Sequence, residues 1–388
     1  MDQLPTQITT PAGKARARAL AIPLQGTPGP ANAITDVDGV LVGYSTIIKG
    51  EGKLNLGQGP VRTGVTAILP FGHDGVGVAC AAGYHSFNGN GEMTGASWIE
   101  EAGSISLPIL ITNTHAVGPC HRGVIDWVAR HKPEVANQWL LPVVAETWDG
   151  YLNDINGSHV TVDHAIAAID NATSGRIEEG SVGGGTGMNC YAFKGGSGTA
   201  SRVVDYGHRS YTVGVFLQAN FGSRRELTIA GVPLGDQLAD DNPMESYFGG
   251  GPTGAGSCIG IVATNAPLLP GQCKALARRA PLGLARTGTT GSHFSGDIFL
   301  GFSTANRDAL NGRFPKGPAS EDSYSHINFI PWGRMDDFYA AVVQATEEAV
   351  LNALLANGDM TGRDGNRTPA LPHAKVLAAL KARGAVTG

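Results

Sequence analysis

The residue pair Gly256-Ser257 stands between two unlike segments. Gly235 to Gly256 is rich in glycine, with Asp236, Asp240, Asp241 and Asn242, and reads as a flexible surface loop. Ser257-Cys258-Ile259-Gly260-Ile261-Val262-Ala263-Thr264 reads as a buried strand. A serine held at such a boundary can turn its hydroxyl on the carbonyl of the residue before it, and a glycine there presents no side chain to obstruct the attack. Once that bond is cut, Ser257 carries a hydroxyl and a free α-amine, whose ordinary pKa of about 7.7–8.0 suits a general base near neutral pH. In a chain with 56 glycines, the pair taken by itself reads first as an ordinary linker residue before a strand.

The neighbouring groups narrow the chemistry. Cys258 is intrinsically the more reactive nucleophile, but strand alternation points it away from the face of Ser257, as a packed core thiol. The five cysteines, at 80, 120, 190, 258 and 273, form no CxxC pair and cannot all pair within one chain, which fits a reducing compartment. No HExxH and no clustered Cys/His spacing points to a metal, and His115 and His121 read as core or surface histidines. Gly183 to Gly187 lacks the Lys-Ser/Thr ending of a phosphate loop and reads as a tight turn near the active site.

Charge excludes further classes. Lys and Arg number 28 against 33 Asp and Glu, a net charge of −5, so no basic excess is available for a nucleic acid. Lys14, Arg16 and Arg18 read as a solvated tail. The apolar run after them, Ala19 to Leu24, is too short for a secretory signal, so a cytoplasmic location is expected, with a periplasmic one left open. The longest uncharged stretch, Ala102 to Cys120, carries Ser, Asn, Thr, His and Pro throughout and does not read as a membrane span.

The elements that must position Ser257 follow from periodicity. Short apolar runs bounded by Gly, Pro or Asn predict strands at Val40 to Ile48, Gly64 to Leu69, Gly75 to Ala82, Ile109 to Thr112 and Val213 to Leu217. Helical spacing appears in Gly123 to His131, Val162 to Ala172, Pro270 to Arg286 and, most clearly, Met335 to Asn357. Strands and helices mix without regular alternation, so the fold class is α+β, a layered sandwich rather than a doubly wound sheet.

Several longer stretches carry a resemblance: Asn32 to Val37, Gly59 to Ala67, Asn88-Gly89-Asn90-Gly91-Glu92, Ile111 to His115, Ala145 to Gly150, Gly183 to Met188 and, best matched, Ala263-Thr264-Asn265-Ala266-Pro267-Leu268-Leu269-Pro270. From about Asn32 onward the chain resembles the L-aminopeptidase D-esterase/amidases and β-peptidyl aminopeptidases. The resemblance implies an N-terminal extension, residues 1–31, before a single αββα-sandwich domain of the N-terminal-nucleophile type, residues 32–388. It also implies self-cleavage at Gly256-Ser257 into chains 1–256 and 257–388, with 235–256 as the variable loop before the cut.

By the same resemblance, Ser257 is the nucleophile and Ser295 hydrogen-bonds its amine or hydroxyl. Asp297 orients Ser295, and Asn220 supplies the oxyanion hole. Glu146 holds the substrate's ammonium group, and Trp148 stands at the substrate site where some relatives have Tyr. Asp297 replaces the Glu of β-peptidyl members, and Asn265 stands where an Asp is expected. Short peptides or amino-acid amides and esters are the implied substrates, without cofactor, and the implied assembly is a tetramer of two-chain protomers. Two other functions stay open at this level. One is an acyltransferase of the ornithine acetyltransferase type, which self-cleaves before a threonine; the other is a non-catalytic binding protein on the same fold.

Overall fold

In the computed structural model, which describes residues 5–247, 256–315, 317–321 and 323–386, the apolar runs pair into two main sheets. In chain order their strands are β1 (Leu41–Lys49), β2 (Val61–Leu69), β3 (Cys80–Ser86), β4 (Ser104–Ile105) and β5 (Ile109–Asn113). There follow β6 (Val143–Thr147), β7 (Gly196–Tyr206), β8 (Arg209–Asn220), β9 (Ser257–Thr264) and β10 (Gly296–Ser303). The smaller sheet runs β1-β2-β5-β6 and the larger β4-β3-β10-β9-β8-β7.

Strand alternation builds three apolar cores and thereby four layers. Ile68, Ile111 and Ala145 of the smaller sheet meet Phe216, Ile259 and Ile298 of the larger between the sheets. The other face of the smaller sheet packs on α1 (Val117–His131) and α2 (Val162–Asp170) through Val65, Val124 and Ile169. The other face of the larger sheet packs on α3 (Pro270–Ala277), α4 (Ala280–Ala285) and α5 (Asp336–Leu355) through Val262, Leu276 and Phe338. Each fully buried side chain of this size contributes about 1.5–3 kcal/mol. The order is αββα, the sandwich anticipated from the sequence.

Differences from the local expectations have local causes. The helical stretch after Pro270 divides in two, because Pro281 lacks an N–H and sits in the first turn of α4, where none is needed. Residues 75–77 form turns, 78 and 79 are irregular, and strand pairing begins only at Cys80. Strand β7 escapes detection because its small and polar residues, GSGTASRVVDY, lack apolar alternation and are buried only by the layers on either side.

The glycine-rich segment is anchored over its first half rather than being a loop throughout. Asp236–Leu238 is a helical turn, Pro243–Tyr247 a short helix, and Leu238 and Met244 are buried. The Arg224 guanidinium donates to the Leu238 and Asp240 carbonyls at 2.8 and 3.2 Å. Most of the remainder of that expected loop, 248–255, lies outside the described residues.

The basic segment near the N-terminus is no solvated tail. Arg16 is buried, with Nε 2.6 Å from Glu179 Oε2, and its Nη2 donates to the Asn32 and Thr199 carbonyls. Arg18 and Arg202 both reach Glu348, at 2.7 Å each, and Asn32 Nδ2 adds a third donor at 2.6 Å. Burial pushes the Glu348 carboxyl up, but Arg202, Arg18 and Arg16 outweigh it and hold its pKa below the ordinary range. Glu348→Gln leaves Arg202 buried without its counter-charge. The expected loss is about 3–5 kcal/mol in denaturant unfolding, the usual consequence of breaking a buried pair from one side.

Candidate active site

Strand direction brings the chemistry to one place. Strands β9 and β10 are parallel, so both begin at the same edge of the sheet; β8 is antiparallel to β9, so it ends there. Ser257 therefore lies opposite Asn220 on one side and Gly296 on the other. Ser257 shares the parity of Ile259 and Ile261, which face the smaller sheet, and Asn220 that of Phe216 and Gln218. Cys258 has the opposite parity and joins the core under the helices. Burial, then Asp297 and Cys190, push the Cys258 thiol well above its ordinary pKa, so it stays protonated and inert.

Ser295 and Asp297 come together at the start of β10. Ser295 Oγ donates to Asp297 Oδ1 at 2.6 Å, and both residues are buried. Asn88, in the turn after β3, grips Asp297 twice: Nδ2 donates to Oδ2 at 2.8 Å, and Oδ1 accepts from the Asp297 amide at 2.5 Å. Burial pushes the Asp297 carboxyl up, and the bonds from Ser295 and Asn88 pull it partly back. Asn88 belongs to a stretch that carries the family resemblance, yet no local pattern links it to a carboxylate 209 positions away.

The Asn220 side chain is held at both ends. Its Nδ2 donates to the Trp148 carbonyl at 2.9 Å, and its Oδ1 accepts from the Asn189 amide at 2.8 Å. Trp148 thus reaches the site through its backbone, directly after β6. Glu146, near the end of β6, is buried, accepts from the Glu92 amide at 2.9 Å and from the Thr114 hydroxyl, and has its pKa raised chiefly by burial. Gly91 separates that carboxylate from β10: a Cβ built there would lie 3.4 Å from Glu146 Oε1 and 3.0 Å from the Gly296 Cα. Asn265, beyond β9, has a plain role, since its Oδ1 accepts from the Thr212 amide of β8 at 2.8 Å. Gly183–Gly185 forms a helical turn.

Two further titratable groups, unnoticed in the sequence, stand behind Asn220. Asp149 follows Trp148, and burial pushes its carboxyl up to about 7. Lys194 donates to the Met188 and Gly195 carbonyls at 2.6 and 2.9 Å, and burial brings its ammonium down to about 7. Both support the segments that grip Asn220, at 148 and 189.

Two facing sheets between helical layers, with a buried serine opening a central strand beside an asparagine that ends the next, define the N-terminal-nucleophile hydrolase type of fold. The L-aminopeptidase D-Ala-esterase/amidase of Ochrobactrum anthropi, described as a prototype of the serine aminopeptidases and a new variant of that fold, superposes with a TM-score of 0.88. It is 45% identical, covering 96% of this chain and 99% of its own. A β-aminopeptidase of Burkholderia sp. superposes at 0.85 with 42% identity over 95% and 99% of the two chains. The β-peptidyl aminopeptidase BapA of Sphingosinicella microcystinivorans is 48% identical over 94% of this chain and 92% of its own.

The chain belongs to peptidase family S58, whose sequence pattern matches residues 32–368, and it is an aminopeptidase. An acyltransferase or a non-catalytic binding protein is not favoured by these relatives. Among the described residues no helix is long and apolar enough to cross a membrane.

The raised pKa of Asp149 has a testable sign. The folded state favours the protonated form, so the contribution of this group is present at acid pH and is lost as pH rises from its ordinary value of 3.8 to about 7. The melting temperature of Asp149→Asn, relative to the unaltered protein, should therefore climb between about pH 4 and 7 and level off above. A flat difference across that range contradicts the assignment.

Proposed function

We propose that the chain cuts itself between Gly256 and Ser257 and that the new N-terminal Ser257 is the nucleophile of the mature aminopeptidase. The observation that carries this reading is the register, with Asn220 directly across from Ser257 on one shared face and Gly296, flanked by Ser295 and Asp297, on its other side. The substrate enters with its ammonium on Glu146 and its first residue beside Trp148. Ser257 Oγ attacks the first carbonyl carbon, and its proton passes to the Ser257 α-amine or to Ser295. The charge that develops on the carbonyl oxygen meets an Asn220 N–H, a donor of the kind worth about 3–4 kcal/mol.

Because Ser295 donates its own proton to Asp297, its oxygen keeps lone pairs with which to accept one. The leaving amine takes up the proton, the C–N bond breaks, and water then hydrolyses the aminoacyl ester to release the amino acid and restore Ser257. The cycle uses only these groups and calls on no cofactor. Substrates are short peptides or amino-acid amides and esters, with β-amino acids favoured by the 48% identity to a β-peptidyl aminopeptidase. The five buried, unpaired cysteines support a cytoplasmic setting. Exposed Phe314, Phe329 and Trp332 support assembly into a homo-oligomer, for which the family resemblance implies a tetramer of two-chain protomers.

Ser257→Ala should remain one uncut chain without turnover of β-homoglycine, D-alanine or L-alanine p-nitroanilides. Intact-mass spectrometry showing chains 1–256 and 257–388 from that variant would sink the cleavage assignment. Glu146→Gln should lower kcat/KM by about 10- to 100-fold, the loss of a charge-assisted contact of about 1.5–3 kcal/mol. Glu146 binds an ammonium only when ionised, and burial raises its pKa, so kcat/KM of the unaltered enzyme should fall as pH drops through a value above the ordinary glutamate range. Identical acid limbs in the two proteins count against Glu146 as the ammonium site.

A further inference from the structure

In the uncut chain the Gly256 carbonyl is the group under attack, and it already has a donor. The backbone N–H of Gly296 points to the Gly256 oxygen at an N···O distance of 3.2 Å. The bond continues the parallel β9–β10 ladder one step past Ser257, onto the scissile carbonyl itself. The Asn220 side chain is differently engaged at this stage, with Nδ2 on the Trp148 carbonyl and Oδ1 on the Asn189 amide.

Both partners of the 256–296 bond are glycines for a steric reason. A Cβ on Gly256 would collide with the Asn220 carbonyl oxygen, and one on Gly296 with the Asn90 carbonyl oxygen. Any other residue at either position would push the scissile carbonyl away from its donor or the donor away from it. The glycine before Ser257 is thus required by packing against β8 as well as by access to the carbonyl.

We propose that the Gly296 N–H is the oxyanion donor of the self-cleavage step. The inference rests on the cleavage site given above and adds the group that stabilises its transition state. Ser257 Oγ attacks the Gly256 carbonyl carbon and gives up its proton to a base. Negative charge moves onto the Gly256 oxygen, and the Gly296 N–H, fixed there before the reaction, strengthens its bond to it without reorganisation. The Gly256–Ser257 C–N bond then breaks and the Ser257 nitrogen takes up a proton. This leaves an ester between Gly256 and Ser257 Oγ, which water splits into the Gly256 carboxylate and free Ser257.

The test replaces the 296 amide by an ester. Full-length chain is made by cell-free translation with glycolic acid at position 296, which removes the N–H and little else. A control carries the matching α-hydroxy acid in place of Ile298, one pleat along the same ladder and away from the scissile bond. Appearance of chains 1–256 and 257–388 is followed by intact-mass spectrometry. The 296 ester should cut about 10²-fold more slowly, the usual loss for one oxyanion donor, and the 298 ester at close to the rate of the unaltered chain. Both esters lose one ladder donor, so equal slowing, the signature of general loosening, overturns the proposal. A 296 ester that cuts at the unaltered rate overturns it as well. If the unaltered chain does not yield those two pieces, the cleavage site itself is wrong, which separates the two failures.

Discussion

The pairing of Ser257 with Asn220 on one side and Gly296 on the other is the constraint on which the site depends. A slip of one residue along β9 would reverse every side chain. Ser257 would then face the helical layer, and Cys258, whose thiol burial keeps protonated, would take its place. The register is protected by the two cores it separates, with Ile259 and Ile261 between the sheets and Val262 beneath the helices. Because β9 and β10 are parallel, helices α3 and α4 must carry the chain back to the same edge; α3 packs on β3 and β10, and α4 packs on α5.

Glu348 and the buried carboxylates nearer Ser257 differ in their charge balance. Glu348 has arginines about it and is held ionised, as a rivet joining the N-terminal segment, β7 and α5. Glu146, Asp297 and Asp149 accept from neutral donors, the Glu92 amide and Thr114, Ser295 and Asn88, and Asn153, and burial prevails in raising all three. A carboxyl whose pKa is raised by burial is drawn back toward ionisation by any cation placed beside it. The structural carboxylate is insulated from such changes by its own counter-charges.

The N-terminal segment shows how little a run of charges reveals by itself. Arg16 and Arg18 have the composition of a tail, yet they run under the edge of the larger sheet and satisfy Glu179 and Glu348, 163 and 330 positions away. Arg224 does similar work beside the segment that precedes Ser257, stacking on Phe193 at 3.4 Å while its donors hold the carbonyls of 238 and 240. Arg16 and Arg224 also spend donors on backbone carbonyls, those of Ala31, Asn32 and Thr199 and those of Tyr191, Ala192 and Leu238.

Sequence alone determined the αββα class, the strand that opens with Ser257 and the family, because these rest on local periodicity and on stretches of contiguous residues. It also supplied the names Ser295, Asp297, Asn220, Glu146 and Trp148, through resemblance more than through chemistry legible in any one of them. Tertiary structure decided what those residues touch: the double grip of Asn88 on Asp297, the bonds that hold Asn220, the burial of Asp149 and Lys194, and the contact between Gly296 and the Gly256 carbonyl. Each joins positions far apart in the chain, and burial depends on every layer at once. Nothing in the local pattern of apolar and polar residues encodes which distant strand will lie alongside, so only the folded sheet could bring a donor to the bond before Ser257.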